Sequence, residues 1–300
     1  MSGAGAVPAA EFHYRLPARF GGHRPGAHAG TPLGAGGGFA AHRRLFDHPD
    51  PRRLDLRASL RDPHHEWLVR LPRQRVALAV QVVVDVSASM HFGGQRPKLA
   101  VVADFVEALG QSAFRAGDAV GLRAFDSQPR DDLWLPPRHG RGAGVAMAQR
   151  LRECRAPAPR RHGHGDGGSA SVEALAGTLA PLAGRQGLVF LVSDFHWPLE
   201  RLGALLAGLA PAWVVPMVVW DPAETEPPAA GGLMALTDAE SGVRRSLWLR
   251  EPLRAAWRDA VGARRRALKA VFDAQDLRPF ELPGVFDGEA LTRYFLECVA

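Results

Sequence analysis

The sequence predicts an α/β protein: a doubly wound, mostly parallel sheet with helices on both faces, preceded by an irregular N-terminal segment and followed by a C-terminal hairpin-helix extension. Three observations predict it. Val76 to Asp85 is a nearly continuous apolar run rich in valine, as in a strand buried on both faces. Directly after it, apolar residues recur at helical spacing from Pro97 to Ala116, through Leu99, Val102, Phe105, Val106, Leu109 and Phe114. The same succession of apolar strand and amphipathic helix then repeats down the chain.

Residues 1–40 are rich in Gly, Ala, His and Pro, with Gly34 to Gly38 almost pure glycine, and read as a flexible lead-in. Phe12, Tyr14, Leu16 and Phe20 are spaced within it to pack against something. Residues 41–75 form an upstream segment in which Trp67 to Leu71 alternates weakly, as a strand would. Its apolar residues Leu54, Leu56, Trp67, Leu68 and Leu71 need a surface to cover, and are expected outside the sheet, with a later hairpin as one neighbour.

Residues 76–222 hold the main domain. Pro97 suits a first helical turn and Gly117 a stop. Ala119 to Phe125 is a second strand and Asp131 to Leu135 a short third. A helix follows from Gly142 to Cys154, then a basic Gly/His-rich loop from Pro157 to Gly168, then a helix from Ser169 to Ala183. Gly187 to Ser193 is a strand, Leu199 to Leu209 a helix, and Trp213 to Trp220 a strand. Residues 223–300 are expected to pack on the same domain. They comprise a hairpin of Leu233–Leu236 and Val243–Leu249 around Ser241-Gly242, a helix from Leu253 to Ala274, a strand from Arg278 to Leu282 and a helix from Gly288 to Val299.

The formal net charge of the 300 residues is +6, and Lys98 and Lys269 are the only lysines among the cations. The arginines are scattered, with no basic stripe interleaved with aromatics, so a nucleic-acid surface is the less favoured reading. Arg264-Arg265-Arg266 reads as the wet face of a helix. Cys154 and Cys298 lie too far apart in sequence to make a disulfide framework. No basic-then-apolar leader opens the sequence, and no apolar run approaches the roughly 20 residues that span a bilayer, so a soluble, cytoplasmic protein is expected.

The sharpest motif is Asp85-Val86-Ser87-Ala88-Ser89, between a buried strand and a helix. Ligands of open α/β sheets bind at the carboxyl ends of the strands. A carboxylate and two hydroxyls there make an all-oxygen cluster suited to Mg²⁺ or Mn²⁺. Two further oxygen ligands fall where the same rule would place them. Gly167-Gly168-Ser169 opens a helix, and Asp194 ends the strand that closes with Ser193. Ser171 competes with Ser169 for the third hydroxyl. His162, His164 and His196 suggest zinc, but no Cys or carboxylate has a suitable spacing, and Gly163 to Gly168 lacks the Lys-Ser/Thr of a phosphate loop. Ser87 and Ser89 have no His or Lys base in the local sequence, so an enzyme is not expected.

On Asp85, Ser87, Ser89, Ser169 and Asp194, residues 76–220 resemble the von Willebrand factor A fold with its metal-ion-dependent adhesion site. Ser169 stands where that family usually has Thr. Upstream, Arg53-Leu54-Asp55-Leu56-Arg57-Ala58-Ser59 resembles the R-x-I-D-W-x-A-x-A/S stretch of the DUF58 family, with Leu56 in place of its Trp, and Asp85 to Met90 resembles its D-x-S-x-S-M. The transmembrane pair of many members has no counterpart in this sequence. The resemblance is to the shorter, MxaS-like members encoded near MoxR-type AAA+ ATPases. It implies a metal-dependent adaptor that binds a protein partner through an Asp or Glu donated to Mg²⁺ or Mn²⁺, working with such an ATPase to mature or activate another protein. The alternatives are a metal-dependent hydrolase using the same cluster, or an Arg-rich nucleic-acid binder.

Overall fold

Alternate residues of the strand Ala79–Asp85 serve two different cores. Val80, Val82 and Val84 face one way and Val83 the other, because side chains of a strand alternate between the faces of its sheet. In the computed structural model, which describes residues 11–17, 20–21, 24–157, 167–228 and 231–299, this strand lies inside a six-stranded sheet.

Two strands and one short helix precede it: β1 (Pro25–Arg44), α1 (Leu56–Ser59) and β2 (Leu68–Val76). The strand itself is β3, followed by α2 (Lys98–Ala116), β4 (Ala119–Phe125), β5 (Leu135–Arg138), α3 (Ala143–Glu153) and α4 (Gly167–Leu179). Next come β6 (Leu188–Ser193), α5 (Leu202–Ala207), β7 (Trp213–Trp220) and α6 (Pro222–Thr225). The chain finishes with β8 (Gly232–Thr237), β9 (Arg244–Leu249), α7 (Glu251–Asp273), β10 (Phe280–Pro283) and α8 (Gly288–Val299).

The strand order is β10-β7-β6-β3-β4-β5. All neighbours are parallel except β4 and β5. Residues of α2, α3 and α8 join the core on one face, and those of α4, α5 and α7 the core on the other. This is the predicted doubly wound α/β architecture. Because the chain moves from β3 outward to β4 and then returns to place β6 on the other side of β3, the order reverses between β3 and β6. The crevice at the carboxyl ends of those two strands is where such sheets take ligands. Gly117, at φ 83, ends α2 in the left-handed conformation that glycine adopts without strain and turns the chain into β4.

Several expectations are corrected. The lead-in boundary at residue 40 falls inside β1, which pairs antiparallel with β2. Before it, Phe12, Tyr14 and Phe20 are buried. Glycine and proline richness conceals strand pairing when the partner strand supplies the hydrogen bonds. The upstream segment therefore finds its neighbour in β1 rather than in the 233–249 hairpin. Val69 and Leu71 are buried, whereas Leu56 and Trp67 stay exposed. Asp131–Leu133 is a single helical turn, and the third strand begins only at Leu135. Asp55 caps α1, accepting from Ala58 N–H at 3.0 Å, and that bond, with His42 beside it, holds its carboxyl below the usual range. Ser59 Oγ donates to the Asp55 carbonyl and accepts from Leu68 N–H, so the Arg53–Ser59 motif docks α1 against β2. The hairpin of β8 and β9 and the long helix α7 form as the sequence predicts. His162, His164, the Gly163–Asp166 stretch and most of the basic loop lie outside the described residues. No described helix is long and apolar enough to cross a membrane.

Candidate functional site

Asp85 is the last residue of β3, and Ser193 is the last of β6. Val84 pairs with Val192, so the next residues on both strands emerge side by side at the crevice. Ser193 Oγ donates to Asp85 Oδ2 at 2.7 Å, and Trp197 Nε1 donates to the same oxygen at 3.0 Å. Asp85 Oδ1 accepts from Ser87 N–H at 2.9 Å, which folds the loop back over the strand end. That turn brings Ser87 Oγ and Ser89 Oγ to 3.2 Å from each other.

Asp194 follows β6 directly and, like Asp85, has 0% of its surface exposed. Its Oδ1 accepts from His196 N–H at 3.2 Å, and its backbone carbonyl accepts from Trp220 Nε1 at 2.8 Å. The Ser89 hydroxyl also favours its ionised form. Phe195, between these anchors, has φ 54, a left-handed backbone that costs a bulky residue energy and clusters at functional sites. Arg264 of α7 holds this bend by donating to the carbonyls of Phe195 and Trp197. Arg265 stacks over Trp220 at 5.1 Å. Of the three consecutive arginines, Arg264 is thus spent on the sheet end, while Arg265 and Arg266 stay exposed.

The structure therefore brings Asp85, Ser87, Ser89 and Asp194 into one cluster. Ser169 lies exposed in the first turn of α4, and among the described residues no hydrogen bond joins it to the other four. Ser171, one half-turn on, is buried.

Sequence reasoning missed Lys98. Its ammonium, buried at the start of α2, lies 2.7 Å from Asp194 Oδ2 and 2.6 Å from Glu224 Oε1 in α6. It also discounted His196 for want of a carboxylate. Glu224 Oε2 is 3.9 Å from His196 Nε2, and ligand atoms of Asp194, His196 and Glu224 all lie within 4.8 Å of one another. That trio already has a cation in Lys98, so a metal ion would belong on the serine side of Asp194. One signal was available: in a chain that draws nearly all its positive charge from arginine, a lysine marks a place where a compact point charge fits and a planar fork does not.

The electrostatics separate the two aspartates. Burial, then the charge of Asp194, pushes the Asp85 carboxyl up to about 6. Burial is the largest influence on Asp194 and opposes its ionisation, but the charges of Lys98 and His196 and the hydrogen bonds of Lys98 and Ser89 together outweigh it and hold that carboxyl below its ordinary value. Lys98 is the mirror case: desolvation works against its charge, and Asp194 and Glu224 raise it nonetheless. Two buried carboxylates with one ammonium beside only one of them leave an excess of negative charge at Asp85. Hard oxygen donors around such an excess fit a small divalent cation.

An uncharacterized protein of Mycobacterium tuberculosis is 30% identical over 246 residues, covering 80% of this chain and 72% of that one. An uncharacterized protein in the moxR 3′ region of Paracoccus denitrificans is 33% identical over 95 residues, covering 32% of this chain and 90% of its own length. Among solved structures, BatB of Bacteroides thetaiotaomicron matches at a TM-score of 0.41 with 15% identity, covering 74% of this chain and 98% of that one. The SpRpn10 VWA domain matches at 0.34 with 11% identity, covering 73% and 95%. With residues 45–267 matching the sequence model of DUF58, a protein family of unknown function, the chain belongs to that family.

Proposed function

We propose that this chain is a metal-dependent protein-binding adaptor, not an enzyme, that works with a MoxR-type AAA+ ATPase in maturing or activating another protein. The observation that carries the reading is the pair of fully buried carboxylates, Asp85 and Asp194, beside two serine hydroxyls 3.2 Å apart at the point where strand order reverses. Ser87 and Ser89 would hold Mg²⁺ or Mn²⁺, with Asp85 and Asp194 direct or through water, and Ser169 or Ser171 as the third hydroxyl. A bound cation there would supply an electrophilic position for a carboxylate oxygen of the partner. The chain's own residues do the rest. Ser193 and Trp197 orient Asp85, Lys98 fixes Asp194, and Trp197 and Trp220 keep water from the strand ends.

Support for the ATPase comes from the Paracoccus relative, which is placed by its description beside moxR. Support for binding over hydrolysis comes from the serines, which pair with each other, while the nearby imidazole of His196 faces Glu224. A hydrolytic water would need a base that these contacts leave occupied.

The test is capture of a purified MoxR-type ATPase on the tagged chain, in Mg²⁺ and in chelator, at two salt concentrations. Capture should vanish in chelator at either salt and return with Mg²⁺, while salt should only slow association by screening the arginine field. A complex that survives chelator and dissolves only in salt would place the interface on the basic surface instead.

A further inference from the structure

The hairpin of β8 and β9 forms a separate two-stranded sheet. Its tip nevertheless reaches the candidate site. Glu240 Oε1 accepts from the backbone N–H of Ser89 at 3.1 Å, across 151 residues of sequence. The tip is built to present that one side chain. Asp238 N–H donates to the Val243 carbonyl at 2.9 Å and Gly242 N–H to the Asp238 carbonyl at 2.8 Å. The Asp238 carboxylate accepts from Glu240 N–H and Ser241 Oγ, and these bonds hold it ionised. Gly242, at φ 69, closes the turn where a side chain would strain it. Glu240 itself makes no part of this lacing through its side chain among the described contacts and is left aimed at Ser89.

Of the residues in the hairpin's two strands, only Leu249 is buried. A groove of about 620 Å³ lies between its residues, among them Leu236, Thr237, Val243 and Leu247, and Trp257 of α7. Leu233 and Trp248 are largely exposed on its strands. Its firm attachment is at the base, where the buried Leu249 leads into α7. A rigid tip on a loosely seated arm, touching the rest of the molecule through a carboxylate, is a latch.

We propose that Glu240 is an internal occupant of the place a partner's carboxylate takes, and that the β8–β9 hairpin is a latch which an acidic segment of the partner must displace. Ser89 has two polar groups at the site: its hydroxyl faces Ser87, and its N–H already receives a carboxylate oxygen. A partner Asp or Glu that reaches the serine hydroxyls would put its second oxygen on that N–H. Glu240 therefore lowers the apparent affinity for every acidic ligand, and opening the latch removes that competition. The inference rests on the adaptor reading of the same site.

Two comparisons made together test it. A short peptide carrying one Asp between glycines is titrated into the wild-type chain and Glu240→Ala, each with Mg²⁺ and with chelator. The latch predicts binding about tenfold tighter in the variant, and faster amide exchange at Ser89 with an unchanged melting temperature. Equal affinity of the two proteins, no binding by either, or unchanged Ser89 exchange overturns the latch. The metal reading is judged on the other axis. If the variant gains affinity equally in Mg²⁺ and in chelator, the latch stands and the metal does not.

Discussion

The two ends of the central strands each bury an aspartate, and they do so differently. At the amino end, Asp118 precedes β4. Its Oδ2 accepts from Tyr14 Oη at 2.5 Å and lies 2.7 Å from His28 Nε2, and its Oδ1 accepts from Leu78 N–H at 2.7 Å. These partners come from the N-terminal segment, from β1 and from the approach to β3, so the carboxylate ties three pieces of chain together. At the carboxyl end, Asp85 is also hydrogen-bonded, but its burial and then a second buried carboxylate close by raise it. Two hydroxyls beside it, of Ser87 and Ser89, bond each other and the two carboxylates. Burial of a charged group therefore does not mark a site. What marks it is uncompensated like charge with hydroxyl oxygens gathered around it.

The largest expected effect comes from removing the buried cation paired with Asp194. Lys98→Met should cost about 4 kcal/mol, because it leaves Asp194 buried and unpaired, and breaking a buried pair costs about 3–5 kcal/mol. Urea unfolding checks it; a loss below about 1 kcal/mol would mean that Asp194 takes up a proton at little cost.

Asp118→Ala comes next. It strands the Leu78 N–H and the Tyr14 hydroxyl, buried groups worth about 1–3 kcal/mol each when unsatisfied, so a loss of about 3 kcal/mol is expected. The N-terminal segment should also become sensitive to protease, while Mg²⁺ affinity stays unchanged. Loss of metal affinity in this variant would show that the two ends are coupled.

A smaller effect sharpens the contrast through pH. The ordinary value for Asp85 is 3.8 and the folded value about 6, so between them the folded chain holds a proton that the unfolded chain has released. Its contribution therefore favours folding at low pH and is lost as pH rises through the folded value. In chelator, Asp85→Asn should remove that slope, so the variant gains on wild type as pH rises from about 4 to 7. A wild type whose difference from the variant does not change over that range contradicts the assignment.

The smallest effect separates the two hydroxyl candidates. The exposed Ser169 and the buried Ser171 are each replaced by Ala, and the one that ligates should weaken Mg²⁺ binding about tenfold, or about 1.4 kcal/mol, with the other silent.

Much of this was legible in the sequence, and the limits were physical. Strands β3, β4, β6 and β7 announced themselves because both faces are buried, so apolar side chains run without alternation. Asp85, Ser87, Ser89 and Asp194 could be placed because a strand end fixes where a residue emerges. Strand β1 was hidden because its pairing with β2 satisfies the backbone whatever the side chains are, so glycine and proline richness read as loop. Lys98 and Glu224 were hidden because each reaches the site from its own helix, 126 residues apart, and no spacing rule links them. Glu240 was hidden for the same reason: its turn was visible, but not where the hairpin would fold back. The pairing of Trp197 with Asp85 likewise depends on the left-handed bend at Phe195, which has no sequence signature.

The central claim is that the Asp85 cluster takes a divalent cation without being needed for the fold. Isothermal titration of Mg²⁺, and of Mn²⁺ where Mg²⁺ is weak, into the wild-type chain and Asp85→Ala tests it most directly, with a denaturant curve for each. The account predicts binding at one site in the wild type, none in the variant, and a variant that still folds in chelator though less stably, because Ser193 Oγ, Trp197 Nε1 and Ser87 N–H lose their acceptor. Unchanged affinity in the variant, or a variant that fails to fold, would contradict it.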